Sequence, residues 1–132
     1  MTVPGETRKG IKSADKMTIT GGKFTIDATG AGSKGISVGK HLLINQDDGT
    51  TEMLIRAKGS YSEDEETDEE TRCMAIKVTK NMAITAGTLK VSNTGTKSRG
   101  IKVDGLYYEG PDASVSGDKK KVTPTNTMPP MD

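Results

Sequence analysis

The chain has 132 residues, 19 Lys and Arg against 18 Asp and Glu, 31% hydrophobic residues and 3% aromatics without any Trp. That length suits one domain, and so few aromatics exclude a core built on large rings, leaving Ile, Val, Leu, Met and Ala to fill a thin interior. No run approaches the roughly 18 consecutive apolar residues of a membrane span, so no membrane insertion is expected.

Charge is segregated although the net value is only +1. Seven acids (Glu63, Asp64, Glu65, Glu66, Asp68, Glu69, Glu70) fall in one run, leaving 11 acids against 19 cations and a surplus of +8 elsewhere. The pattern is a basic body with an acidic insert. The opening Met1-Thr2-Val3-Pro4-Gly5-Glu6 lacks the apolar stretch of a signal peptide. Cys73 is alone, so no internal disulfide forms and redox compartment is not legible.

Self-similarity organises the chain. A Gly-Ile step recurs as Gly10-Ile11, Gly35-Ile36, Ala75-Ile76 and Gly100-Ile101, with equal first and last intervals and a longer one between them. Apolar rows keep step inside the intervals. Ile11, Ile36, Ile76 and Ile101 form the first, and Ser13, Val38, Val78 and Val103 the second. Met17, Leu42, Met82 and Leu106 follow, then Ile19, Ile44, Ile84 and Tyr108. Phe24, Met53 and Leu89, and finally Ile26, Ile55 and Val91, complete the set. Paired rows are separated by one residue, the period of a β-strand.

The first repeat holds three short strands, at 10–13, 17–20 and 23–28, divided by turn residues. Three strands and three turns in so short a repeat close one coil of a parallel β-helix. The predicted fold is therefore all-β, a right-handed parallel β-helix solenoid of about four coils with three short strands per coil. The longer middle interval places four extra residues near 47–50 and eleven between Gly59 and Cys73. The fourth coil reads as one residue short, with Tyr108 inward and Tyr107 outward. One domain is expected over 1–117, with an acidic loop insertion at 60–72, followed by a loosely ordered, polar, Pro-rich tail at 118–132. Residues 1–7 are too few to build a cap, which predicts a fragment of a longer solenoid or end-to-end self-association.

The phrase Lys9-Gly10-Ile11-Lys12-Ser13-Ala14-Asp15, continuing through Met17-Thr18-Ile19-Thr20-Gly21-Gly22-Lys23-Phe24-Thr25-Ile26, resembles a family of bacterial carbohydrate-binding domains with a pectate-lyase-like right-handed parallel β-helix. The resemblance spans about residues 8–116. It implies an exported or cell-surface bacterial protein that binds plant-type polysaccharides, acidic ones included, often with calcium. Members commonly carry Asp before the Gly-Ile step, where this chain has Lys9, Lys34, Met74 and Arg99. A calcium role at that position does not carry over.

Stacking makes residues one interval apart into neighbours, so cation rows are the candidate ligand sites. Lys9, Lys34 and Arg99 make one, Lys12, Lys77 and Lys102 another, with Lys40, Lys80, Lys16 and His41 alongside. A ladder of cations suits the carboxylates of an extended uronate chain. The competing reading is that lysines keep a β-surface soluble and unpaired. Tyr107 is a candidate for stacking on a sugar ring, or else a cover for the solenoid end. Asp47-Asp48-Gly49 reads first as a turn and second as calcium ligands. The acidic run lacks the glycine-punctuated alternation of a calcium loop and reads as a solvated insert.

No catalytic set emerges. His41 reads as a surface turn residue without placeable partners for nucleophilic catalysis. Nucleic acid is not expected, because no aromatics interleave the basic rows. The expected function is non-catalytic binding of an extended, acidic polysaccharide along the flank. The alternatives are a structural or adhesive surface solenoid without a sugar site and a polysaccharide lyase.

Overall fold

The computed structural model describes residues 1–47, 50–63, 66 and 70–132, and among these there is no helix. The strands in chain order are β1 (Thr2–Val3), β2 (Lys9–Ser13), β3 (Met17–Ile19), β4 (Gly22–Ala28), β5 (Lys34–Val38), β6 (Leu42–Ile44) and β7 (Thr51–Ala57). The short β8 (Ser62–Glu63) and β9 (Glu70–Thr71) follow, then β10 (Met74–Val78), β11 (Met82–Asn93), β12 (Arg99–Ser116) and β13 (Lys121–Pro124). Apart from the antiparallel β8–β9 hairpin, every pairing among the described residues is parallel.

Parallel neighbours cannot be joined by tight hairpins, so each must lie a connection away in sequence. Three ladders satisfy this together. The first runs β2–β5–β10–β12 and aligns Ile11, Ile36, Ile76 and Ile101. The second runs β3–β6–β11–β12 and aligns Met17, Leu42, Met82 and Tyr107. The third runs β1–β4–β7–β11–β12, with Phe24 on Met53 and Met53 on Leu89. Because β11 and β12 each pass from one ladder into the next, the ladders merge into a single eleven-stranded sheet.

Both insertions fall where the repeat spacing places them. The offset between partners is the same for Ile11 with Ile36 and for Ile19 with Ile44, but it grows by four for Gly22 with Thr51, which puts the first insertion between β6 and β7. For Ala57 with Asn93 it exceeds the regular value by eleven, which puts the second after β7. The base of that longer insertion is the β8–β9 hairpin.

Alternation turns one side of each ladder inward. Ile36, Ile76, Ile101, Leu42, Met82, Ile44, Ile84, Ile55 and Leu89 are all buried in one continuous core. At roughly 25 cal/mol per Å² of apolar area, full burial of each such side chain favours folding by about 1.5–3 kcal/mol.

A column of glycines permits the close stacking of one corner. A Cβ on Gly30 would collide with Gly5 O, one on Gly59 with Gly30 O, and one on Gly95 with Gly59 O. Each carbonyl occupies the space where the next side chain would begin.

The fourth repeat departs from its expected register. It is not short: Tyr107 sits on Met82 and Glu109 on Ile84, both at the regular offset, and an extra residue enters before Asp112 pairs with Ala86. Tyr107 is therefore inside, while Leu106 is 38% exposed. The ring, larger than Leu, fills the inner row above Met82, and its hydroxyl reaches a partner in Glu109.

Both ends are also more ordered than expected. The tail adds β13 beside β12, pairing Leu106 with Thr123 and Tyr107 with Pro124, and buries Met131. At the other end β1 lies on Asp27 and Ala28 and buries Val3. The N-terminal ammonium donates to Thr25 O at 2.8 Å. Unpaired backbone groups drive both additions, since each extra rung satisfies strand-edge donors and acceptors.

Candidate functional site

The cation rows divide by parity. Lys12 lies one residue beyond inward Ile11, so Lys12, Ser37, Lys77 and Lys102 point outward in register along the first ladder. The tail extends this row, because Lys121 pairs with Lys102. Five rungs thus carry four lysines and one serine. Lys9, Lys34, Met74 and Arg99 are also in register, but they lie two residues before the inward isoleucines and share their parity.

That parity corrects the placing of Lys34 on an outward face. It is 7% exposed, and its ammonium donates to Gly32 O at 3.0 Å and Arg72 O at 2.7 Å. Burial pushes its pKa down to about 8. In the same row Met74 is buried, Arg99 is half-buried and Lys9 alone is exposed. Burial first, and then the nearby Arg72, lowers the Arg99 pKa from its usual range, with Asp118 opposing. The row Lys9–Lys34–Met74–Arg99 does not form a continuous cationic strip.

On the outward row, charge is partly balanced within the chain. Asp104 accepts from Lys102 at 2.6 Å and from Lys77 at 2.7 Å, one oxygen to each. The Lys102 hydrogen bond first, and that of Lys77 second, hold the carboxyl below its ordinary range. Asp104 is two residues beyond Lys102, a spacing that puts both on one face of a strand. Among the described residues no carboxylate pairs with Lys9, Lys12 or Lys121, whereas Lys40 meets Asp15 at 3.2 Å.

Tyr107 is not available as an exposed stacking platform. It is 3% exposed and donates to Glu109 Oε1 at 2.9 Å, an oxygen that also accepts from Lys119 at 2.7 Å. Desolvation, then the Glu109 carboxylate, raises the phenol pKa. These groups line a cavity of about 430 Å³ with Val122, Pro124 and Thr125. A second depression, about 340 Å³, lies on the third ladder among Lys23, Thr25, Glu52, Leu54, Thr88 and Lys90. Neither contains a member of the Lys12 row.

His41 is buried, not on the surface, and its Nδ1 accepts from the Asn81 backbone N–H at 3.0 Å. That bond requires an unprotonated Nδ1. Asp47 is exposed and its carboxylate accepts from Asn45 Nδ2 at 2.8 Å. Asp48 and the acidic residues Asp64, Glu65, Asp68 and Glu69 lie outside the described residues. Glu70 pairs with Lys97 at 2.7 Å, and Lys97 in turn stands 4.4 Å over the Tyr61 ring. The base of the acidic insert is thus tied to the Gly95 turn. Among the described residues no three His, Cys, Asp or Glu side chains are grouped to hold a metal ion. Cys73 is buried against Ala28 O and Ser33 Oγ.

What the geometry offers is a strand surface with lysines on four of five successive rungs. Parallel rungs lie about 4.8 Å apart, so Lys12 and Lys77, two rungs apart, are separated by roughly twice that. Regular cations at this spacing can meet regular anions on an extended polymer. Comparison of this chain with protein-family models, with curated proteins and with solved structures gives no match.

Proposed function

We propose that the chain is a right-handed parallel β-helix solenoid that binds an extended anionic polysaccharide along its first ladder, outside a bacterial cell. The recurring offset between parallel partners supports the winding, and right-handed connection of parallel strands is the strong general rule. The observation that carries the ligand class is the outward row Lys12, Lys77, Lys102 and Lys121, with Lys9 nearby. Uronate carboxylates would compete with Asp104 for Lys77 and Lys102 and would meet Lys12 and Lys121 directly. Export and sugar binding draw further support from the family resemblance, which spans about residues 8–116.

Affinity electrophoresis tests the reading. Polygalacturonate in the gel is expected to retard the protein, a neutral glucan is not, and added salt weakens the effect. A variant with Lys12→Ser, Lys102→Ser and Lys121→Ser should lose the retardation; unchanged retardation overturns the site. Absorbance from an unsaturated uronate product would instead identify a lyase. The second reading, a structural or adhesive solenoid without a sugar site, is favoured by the internal use of Lys34, Lys77 and Lys102. Absence of retardation by any polymer supports it.

A further inference from the structure

The first repeat presents an open strand edge. Among the described residues β2 is paired with β5 alone and β3 with β6 alone, whereas their counterparts in the second and third repeats have a strand on each side. The consequence is visible in burial. Ile11, Met17, Ile19 and Phe24 are only half-buried, although Ile36, Leu42, Ile44 and Met53 in the same rows are buried. Where a strand does cover the first repeat, the difference disappears: β1 lies on Asp27 and Ala28, and Ile26 beside them is 1% exposed.

We propose that this edge is a docking surface for an extended partner strand alternating aliphatic and acidic residues. Strand addition supplies backbone hydrogen bonds to β2 and β3, and alternate side chains of the added strand meet alternate rows. A residue over Ile11 must be apolar. Its neighbour falls over Lys12, one of the exposed lysines without an ion-pair partner among the described residues, and Lys16 is likewise exposed beside β3. Acidic side chains complement both.

A second copy of the chain fits less well. Stacking the C-terminal end beneath the first repeat would bring β13 onto β2 and put Lys121 on the row of Lys12. Edge-to-edge pairing of two β2 strands would gather Lys9 and Lys12 from both copies. Like charges placed opposite each other disfavour either arrangement.

The proposal is independent of polysaccharide binding, and Lys121, which is not beside this edge, separates the two. The probe is a short peptide alternating Glu and Val, with a Lys-for-Glu version as control. Titration calorimetry should detect binding of the acidic peptide and not of the basic one. Amide exchange should slow in β2 and β3 while the inner strands are unaffected. Lys16→Glu is expected to weaken the acidic peptide at least tenfold, whereas Lys121→Ser, at the far end of the row from β2, should weaken polygalacturonate retardation and leave the acidic peptide unchanged. Equal binding of both peptides, or no slowing in β2 and β3, overturns the proposal and leaves the lysines as guards against edge pairing. Concentration-dependent dimers by sedimentation, with amide exchange slowed in β2 and β3 in the absence of peptide, overturn it in favour of a second copy.

Discussion

The first repeat and the third use the same positions in different ways. Ile76 stands between Ile36 and Ile101, with a rung on either side, and is fully buried; Ile11 has Ile36 on one side only and is half-buried. The side chain, strand parity and ladder are the same. Along a parallel ladder, burial is contributed by the neighbouring strands more than by a residue's own repeat, so stability is expected to be graded from the edge strand inward.

Paired truncations give the largest test. Ile76→Ala should cost about 3–4 kcal/mol, through lost transfer energy and the cavity left between two rungs. Ile11→Ala should cost about 1 kcal/mol, because that position is already half in water. Denaturant unfolding of both variants measures the gap, and equal losses would break the comparison.

The row two residues earlier sharpens it by charge. Lys9 is exposed and Lys34 buried, with the latter's pKa lowered from 10.5 to about 8. Below about pH 8 both the folded and unfolded chains hold the Lys34 proton, and the burial penalty is fully present. Between about pH 8 and 10.5 the folded chain releases the proton first. The unfolded chain then binds more protons, so stability rises with pH. The full span corresponds to about 3 kcal/mol. Lys34→Met should remove that rise, as the difference between wild-type and variant unfolding free energies from pH 7 to 9.5. Lys9→Met should reduce it only slightly, because the Lys9 charge adds a smaller repulsion to the lowering that burial sets.

Repetition made the inner repeats legible. The Gly-Ile step and its following rows predict the pairings of Ile11, Ile36, Ile76 and Ile101, and the two insertion points, because every repeat samples one geometry and errors at one position are outvoted by others. The fourth repeat offered no such vote. Leu106 matches an aliphatic row better by type than Tyr107, but residue type alone does not disclose that a phenol hydroxyl will find Glu109. Lys34 was legible in principle, since a residue two before an inward isoleucine shares its face. The length and charge of its side chain suggested the outside. The Gly5, Gly30, Gly59 and Gly95 column was hidden by its unequal spacing, which the insertions create. The β13 rung was hidden because its pairing with β12 depends on a sheet edge that exists only after β12 has joined the ladder.

The smallest expected effect concerns Asp104, which makes the cations of the inner repeats unlike Lys12 in the first. Its carboxylate joins Lys77 and Lys102, yet its side chain is 44% exposed, so solvent screens both pairs and each is worth no more than a surface salt bridge. Asp104→Asn should therefore shift unfolding free energy by about 0.5 kcal/mol or less near neutral pH. The sign follows from the lowered carboxyl pKa: any stabilisation is present above the ordinary carboxylate range and is lost as pH falls through the lowered value. Binding should respond more than stability. Freed from Asp104, Lys77 and Lys102 become equivalent to Lys12, and retardation by polygalacturonate should increase. Unchanged retardation would show that the inner cations do not meet the polymer and would confine any contact to Lys9, Lys12 and Lys121 at the ends of the ladder.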